Sequence, residues 1–94
     1  MNIVFDAQAE RDLDSQLAYL IGQGAAPAAR KLETRITTFL EHTVAAYPRA
    51  GTYVGTRDLW ETWVPDTRIV IWYRFTTEEL QIVRVWHTSQ NRNP

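Results

Sequence analysis

An α+β two-layer domain ordered β-α-α-β-β-β, an antiparallel helical hairpin packed on an antiparallel sheet, is the fold that these 94 residues predict. Three observations carry it. Apolar residues recur at three- and four-residue steps through the first half, and at two-residue steps from about residue 53 onward. Seven of the eleven aromatic residues, including all four tryptophans, fall in that second half, where a sheet needs bulk to cover two helices. A hydrophobic share of 45% with only four Gly and four Pro is that of an ordinary globular chain, and the length suits one domain over residues 1–94.

The elements follow in order. Asn2 to Phe5 is a short apolar strand, and Asp6 after it is an expected N-cap, with Glu10, Asp12 and Asp14 near the positive end of a helix dipole. Ala9, Leu13, Leu17, Leu20 and Ile21 share one face until Gly22-Gln23-Gly24 breaks the pattern, so the first helix covers 7–22. Pro27 suits a first turn. From there Ala29, Leu32, Ile36, Phe39, Leu40, Thr43 and Tyr47 keep helical spacing up to Pro48, which predicts a second helix over 27–46. Tyr53-Val54, Leu59 to Val64, Arg68 to Thr76 and Leu80 to His87 are β-branched and aromatic runs. Gly55-Thr56, Pro65-Asp66 and Thr77-Glu78-Glu79 separate them, so they read as a three-stranded antiparallel meander.

Alternation divides the strand from Arg68 into two faces. Ile69, Ile71, Tyr73 and Phe75 form the core side, and Arg68, Val70, Trp72 and Arg74 the other. With Val83 and Val85 of the last strand on the core side, Arg84 and Trp86 join the second group, and the strand reads equally well with Ile82 and Trp86 buried. The result is an outer arginine–tryptophan patch, a composition suited to cation–π stacking and to partner hot spots. The same residues equally describe arginines lying over surface tryptophans to keep a small sheet in solution.

Charge and motifs exclude more than they suggest. There is no cysteine, hence no disulfide or thiolate metal site, and a reducing cytoplasm is the expected setting. Neither a leader pattern nor a membrane-spanning run is expected. The net charge of −1 argues against a general nucleic-acid binder, although nine of the ten cations are Arg, the residue suited to bidentate contacts. No phosphate loop, zinc motif or nucleophile elbow occurs, and no cofactor or metal is expected. His42 reads as a solvated helix residue. His87, at the end of the last strand near Arg68 and Arg92, is placed for acid–base work on a phosphodiester or for a structural hydrogen bond. Glu61 is the only acid within its strand; as a base it would complete such a scheme, and as an ordinary carboxylate it would face outward.

The pattern Ala9-x-x-Asp12-Leu13-x-x-x-Leu17-x-Tyr19-Leu20-Ile21, then Ala28-Ala29-x-x-Leu32-x-x-x-Ile36, then Tyr47-Pro48-x-x-Gly51, resembles the front half of the RelE/ParE superfamily of bacterial type II toxins. Arg57-Asp58-Leu59-Trp60, Arg68 to Arg74 and Ile82 to His87 resemble its three sheet strands, so the likeness spans about residues 3–92. It implies one of two activities. RelE-like members are ribosome-dependent mRNA endoribonucleases with a basic cluster; here Arg68 matches the strand-opening arginine, but Leu59 to Trp63 has no lysine and Arg92 is displaced by about two positions. A tail tyrosine is also missing, so the chain is more similar to ParE-like members, which poison DNA gyrase by trapping its cleaved-DNA complex.

On that reading Arg68, Trp72, Arg74, Arg84, Trp86, His87 and Arg92 are expected to meet the target, and none is catalytic. Some related ribonucleases use a glutamate–arginine–histidine set, so Glu61, Arg68, His87 and Arg92 are the catalytic candidates if the ribosome and its mRNA are the target instead. A toxin fold that serves only as a binding module is a third reading. The resemblance also implies a cognate antitoxin, ParD-like or similar, with a segment that folds onto Leu17, Leu32, Ile36, Phe39 and Leu40 in the groove of the helical hairpin.

Overall fold

The computed structural model of the chain describes residues 1–90. Strand β1 (Asn2–Phe5) leads into helix α1 (Ala7–Gly22) and helix α2 (Ala26–Phe39), followed by strands β2 (Thr52–Val54), β3 (Leu59–Trp63), β4 (Ile69–Phe75) and β5 (Glu79–His87). The two-layer α+β class is as expected. Two features of the sheet differ from the sequence expectation. Tyr53-Val54 belongs to a strand in its own right, which makes the meander four-stranded, and β1 pairs in parallel with β5, giving one mixed sheet in the order β1-β5-β4-β3-β2. A parallel neighbour is available to β1 because the helical hairpin returns the chain across the sheet before the meander begins.

Both helix ends follow local chemistry. Gly24 takes a positive φ of 75°, and the amides of Gly24 and Ala25 bond back to the carbonyls of Ile21 and Leu20, closing α1 with a left-handed residue that glycine adopts without penalty. Asp6 stands at the N-cap, but its carboxylate accepts from Gln81 Nε2 at 2.8 Å instead of capping the helix. The second helix, expected to 46, is α-helical only to Phe39; Leu40–Val44 widens into a π-type turn in which the Ala45 amide reaches the Leu40 carbonyl at 2.9 Å. Leu40 and Val44 are both buried as a result.

The main core lies between helices and sheet. Ala9, Ile36, Leu40, Ile69, Ile71, Tyr73, Leu80, Ile82 and Val85 pack together there, with Leu13, Leu32 and Phe39 half-buried at the margin. Tyr73 is fully buried, and its hydroxyl donates to the Pro48 carbonyl at 2.6 Å, so the loop before β2 is tied to the centre of the sheet. Gly51 sits beneath that ring: a Cβ there would strike the Tyr73 hydroxyl and come 2.8 Å from the Glu61 carbonyl oxygen.

In β5 the expected phase holds for Val85 and Trp86 and is corrected before them, where Ile82 takes the core position expected for Val83. A bulge opposite Trp72 and Tyr73 pairs Trp72 with Arg84 but Tyr73 with Ile82, so Ile82 and Val85 both reach the main core while Val83 turns to the other face. An extra residue on one strand resets the alternation beyond it, which a strict period of two does not anticipate.

A candidate interaction cleft at the strand ends

Below the bulge β5 outruns β1, which pairs only as far as Ile82, and the exposed edge is covered by α1. Asp12 Oδ2 accepts from the Val85 amide at 3.0 Å, and Gln16 Nε2 donates to the Val85 carbonyl at 3.1 Å, so two helix side chains replace the missing strand. The same carboxylate binds Arg84 in bidentate fashion, at 2.7 Å to Nε and 3.0 Å from Nη2. Burial pushes the Asp12 carboxyl up, but the bonds from Arg84, the Val85 amide and Gln8 outweigh it and hold its pKa below 3.8.

That anchoring decides what the outer face presents. Arg84 lies with its guanidinium 3.9 Å from the Trp86 ring centroid, Arg57 stacks 5.2 Å from that of Trp72, and the two indoles meet edge to face at 5.2 Å. Trp72 and Trp86 are each only 5% exposed and form a second small core with Leu59 and Val70. Trp72 Nε1 donates to Glu61 Oε2 at 2.7 Å, and Arg74 binds the carbonyls of Asp58 and Arg57 at 2.8 and 3.1 Å, fixing the β2–β3 turn. The structure does gather the expected Trp72, Arg74, Arg84 and Trp86 on the outer face, with the two indoles closed to solvent and Arg74 exposed. The cations and the Trp72 indole are held by partners within the chain, whereas Trp86 Nε1 is buried with no hydrogen-bond partner among the described residues.

Arg68 and His87 lie elsewhere, and together. The β3–β4 turn is rigid: Asp66 has a φ of 60°, and the Thr67 hydroxyl both donates to the Val64 carbonyl and accepts from the Ile69 amide. This turn delivers Arg68 to the end of the sheet, where its carbonyl accepts from Thr88 N at 2.8 Å, immediately beyond the Ile69–His87 pair. Both residues line a cleft of about 800 Å³ between the strand ends and the helical hairpin, with Gln16, Tyr19, Lys31 and Arg35 on the helix side. Arg35 Nη1 reaches Asp66 Oδ2 at 3.3 Å and ties α2 to the turn. Tyr19 in that lining is 67% exposed.

The His87 ring is oriented by its own C-terminal turn. The Ser89 amide lies 3.1 Å from Nδ1, and an amide can only donate, so Nδ1 is an acceptor and the proton of the neutral ring belongs to Nε2. The His87 backbone is held in turn by Gln90, whose side-chain oxygen accepts from the His87 amide at 2.8 Å. In this tautomer the ring offers a hydrogen-bond donor at Nε2. Glu61, the expected carboxylate partner of a nuclease set, shares a face with Trp72, whereas Ile69 and with it His87 belong to the helix-facing side. Glu61 and His87 are not brought together. Arg92 lies outside the described residues.

Residues 3–92 match the model of the family described as ParE toxin of type II toxin-antitoxin system, parDE. The chain belongs to the ParE toxin family. Its fold is similar to a solved structure of the chromosomal ParDE TA system from P. aeruginosa, with a TM-score of 0.73 and 19% identity over 93% of this chain and 95% of that one. No curated protein sequence matches.

Within this ParE-family domain, the residues expected to receive an antitoxin divide. Ile36 and Leu40 are 1% exposed and belong to the core, because the π-type turn drives Leu40 inward; Leu17, Leu32 and Phe39 remain half-buried and reachable. Lys31, Arg35 and Tyr19 are cleft residues that the sequence does not single out, although Lys31 and Arg35, four residues apart, share one face of α2. Asp12 was read as a dipole residue, and nothing in a single sequence signals that its carboxylate completes a strand 73 residues away.

Proposed function

We propose that this ParE-family toxin acts by binding, that it inhibits DNA gyrase by stabilising the cleaved-DNA complex, and that the strand-end cleft with Arg68 and His87 is the surface that meets the enzyme. The observation that carries this reading is the separation of Glu61 from His87 across the sheet, with the His87 proton on Nε2. A general base must present an unprotonated nitrogen to its substrate, and here Nδ1 is turned to Ser89, which leaves His87 a donor at Nε2 without the Glu61 carboxylate that a glutamate–arginine–histidine set would place beside it. A cationic rim with a hydrogen-bond donor suits recognition. The family description supports a cognate antitoxin, and the half-buried Leu17, Leu32 and Phe39 beside the cleft are where its folding segment would gain apolar contact. Cofactors have no part in this mechanism, and the cytoplasm, where gyrase works, is the setting it requires.

The test is a supercoiled-plasmid assay with purified protein and gyrase, stopped with detergent and protease. Linear DNA should accumulate with free toxin and disappear when antitoxin is added, while mRNA in a translating extract stays intact. His87→Ala should weaken trapping by only about fivefold, the worth of roughly one neutral hydrogen bond. Cleaved mRNA without linear plasmid, and a loss of 10²-fold or more in that cleavage for His87→Ala, would instead establish the RelE-like ribonuclease and its ribosome target.

A further inference from the structure

The net charge of −1 conceals a strong segregation. Two adjoining depressions, the strand-end cleft and a shallower one along the outer side of α2, share Lys31 and Arg35. Among the described residues they are lined by four cations, Arg30, Lys31, Arg35 and Arg68, and by one acid, Asp66. The α2 depression adds the hydroxyls of Thr34, Thr38 and Thr43 and the ring of His42, and only Phe39 and Pro65 among its lining residues are apolar. Glu33 and Glu41 do not line either depression, although Glu41, in the π-type turn and three residues after Thr38, flanks the one along α2.

We infer that this face of α2 binds the phosphate backbone of duplex DNA, with Arg30, Lys31 and Arg35 as the phosphate contacts. The chemistry on it is nearly all donor: an ammonium, guanidinium forks, hydroxyls and an imidazole, which is the set that phosphate oxygens accept from, with no array of base-reading groups beyond it. An amphipathic acidic peptide would need apolar anchors, and the face has two. The three cations span about 7.5 Å of helix from Arg30 to Arg35, a compact grip on the few phosphates nearest them. Binding is sequence-independent and weak, since three phosphates are neutralised. It lies on the toxin itself and does not depend on the gyrase reading; it would let a toxin docked on a DNA-bound enzyme grip the substrate as well. Lys31 and Arg35 also rim the cleft, so a segment seated there competes with DNA for both.

The experiment uses the purified full chain and a fluorescein-labelled duplex of about 20 base pairs, read by anisotropy without gyrase. Wild type should bind at about 50 mM salt and lose about 40-fold in affinity by about 200 mM, the fall expected for three released counterions. The double variant Arg30→Glu, Lys31→Glu should bind at least tenfold more weakly with an unchanged melting curve, since both side chains are exposed and neither has a role in packing. Absence of binding by folded wild type at low salt would overturn the inference. So would equal binding by the double variant, which would put the contact elsewhere. Capture of poly-glutamate in preference to the duplex would also overturn it, and would identify the occupant as an acidic segment. Because gyrase is left out, failure here leaves the plasmid assay to judge the gyrase reading separately.

Discussion

The outer face of the sheet and the cleft at its ends use similar side chains to opposite effect. On the outer face Arg57, Arg74 and Arg84 each have an internal partner, an indole face, a pair of carbonyls or the Asp12 carboxylate, and the two tryptophans are closed to solvent. In the cleft Arg68, Lys31 and the Nε2 edge of His87 surround open volume. An arginine–aromatic composition therefore does not locate an interface. What distinguishes the two regions is packing: the outer-face indoles are closed over by their neighbours, and the cleft side chains border open volume.

Substitutions that break this contrast should rank accordingly. Trp72→Ala should cost most, about 4 kcal/mol in chemical denaturation, since it empties a closed site and removes the indole's hydrogen bond to Glu61. Asp12→Ala should cost about 3 kcal/mol, because the Arg84 charge and the Val85 amide lose their acceptor together; the Asp12 side chain is 9% exposed and that of Arg84 24%. Asp12 also sets a pH dependence. Its folded pKa lies below the ordinary 3.8, so its contribution is fully present above that value and is lost as pH falls through the folded pKa. Asp12→Asn should flatten the acid limb of the stability curve. Gly51→Ala should cost about 2 kcal/mol by pushing Tyr73 off the Pro48 carbonyl, and Tyr73→Phe about 1 kcal/mol by losing that bond alone. Arg68→Ala and His87→Ala belong at the other extreme, within about 0.5 kcal/mol of wild type, with the loss appearing in function.

Much of this architecture is legible in the residues. The two helices announce themselves through Leu13, Leu17 and Leu20 and through Ala29, Leu32 and Ile36, with Gly24 and Pro27 as punctuation, and the meander through its change of period. Three things are not. The bulge at Val83 is invisible because a register slip depends on the partner strand and leaves no mark in the apolar count, and it reverses which of Ile82 and Val83 enters the main core. The parallel pairing of β1 depends on where the hairpin returns, which no local spacing encodes. The site is the hardest part: Arg68 shares its parity with Trp72 and Arg74, yet it precedes the strand, and the rigid Val64–Ile69 turn carries it to the opposite side of the molecule from the indoles. Polar side chains whose partners lie 70 residues away, as Asp12 and Arg84 do, look free in a sequence and are not.

The plasmid assay run on a matched pair tests the central claim most directly. Arg68→Glu reverses a cleft charge, and Arg74→Ala removes an outer-face arginine that only holds a turn, with folding checked by circular dichroism for both. With gyrase present, Arg74→Ala should still accumulate linear DNA at close to the wild-type level and Arg68→Glu should accumulate none. Trapping retained by Arg68→Glu and lost in a folded Arg74→Ala would contradict the account and return the interface to the outer face.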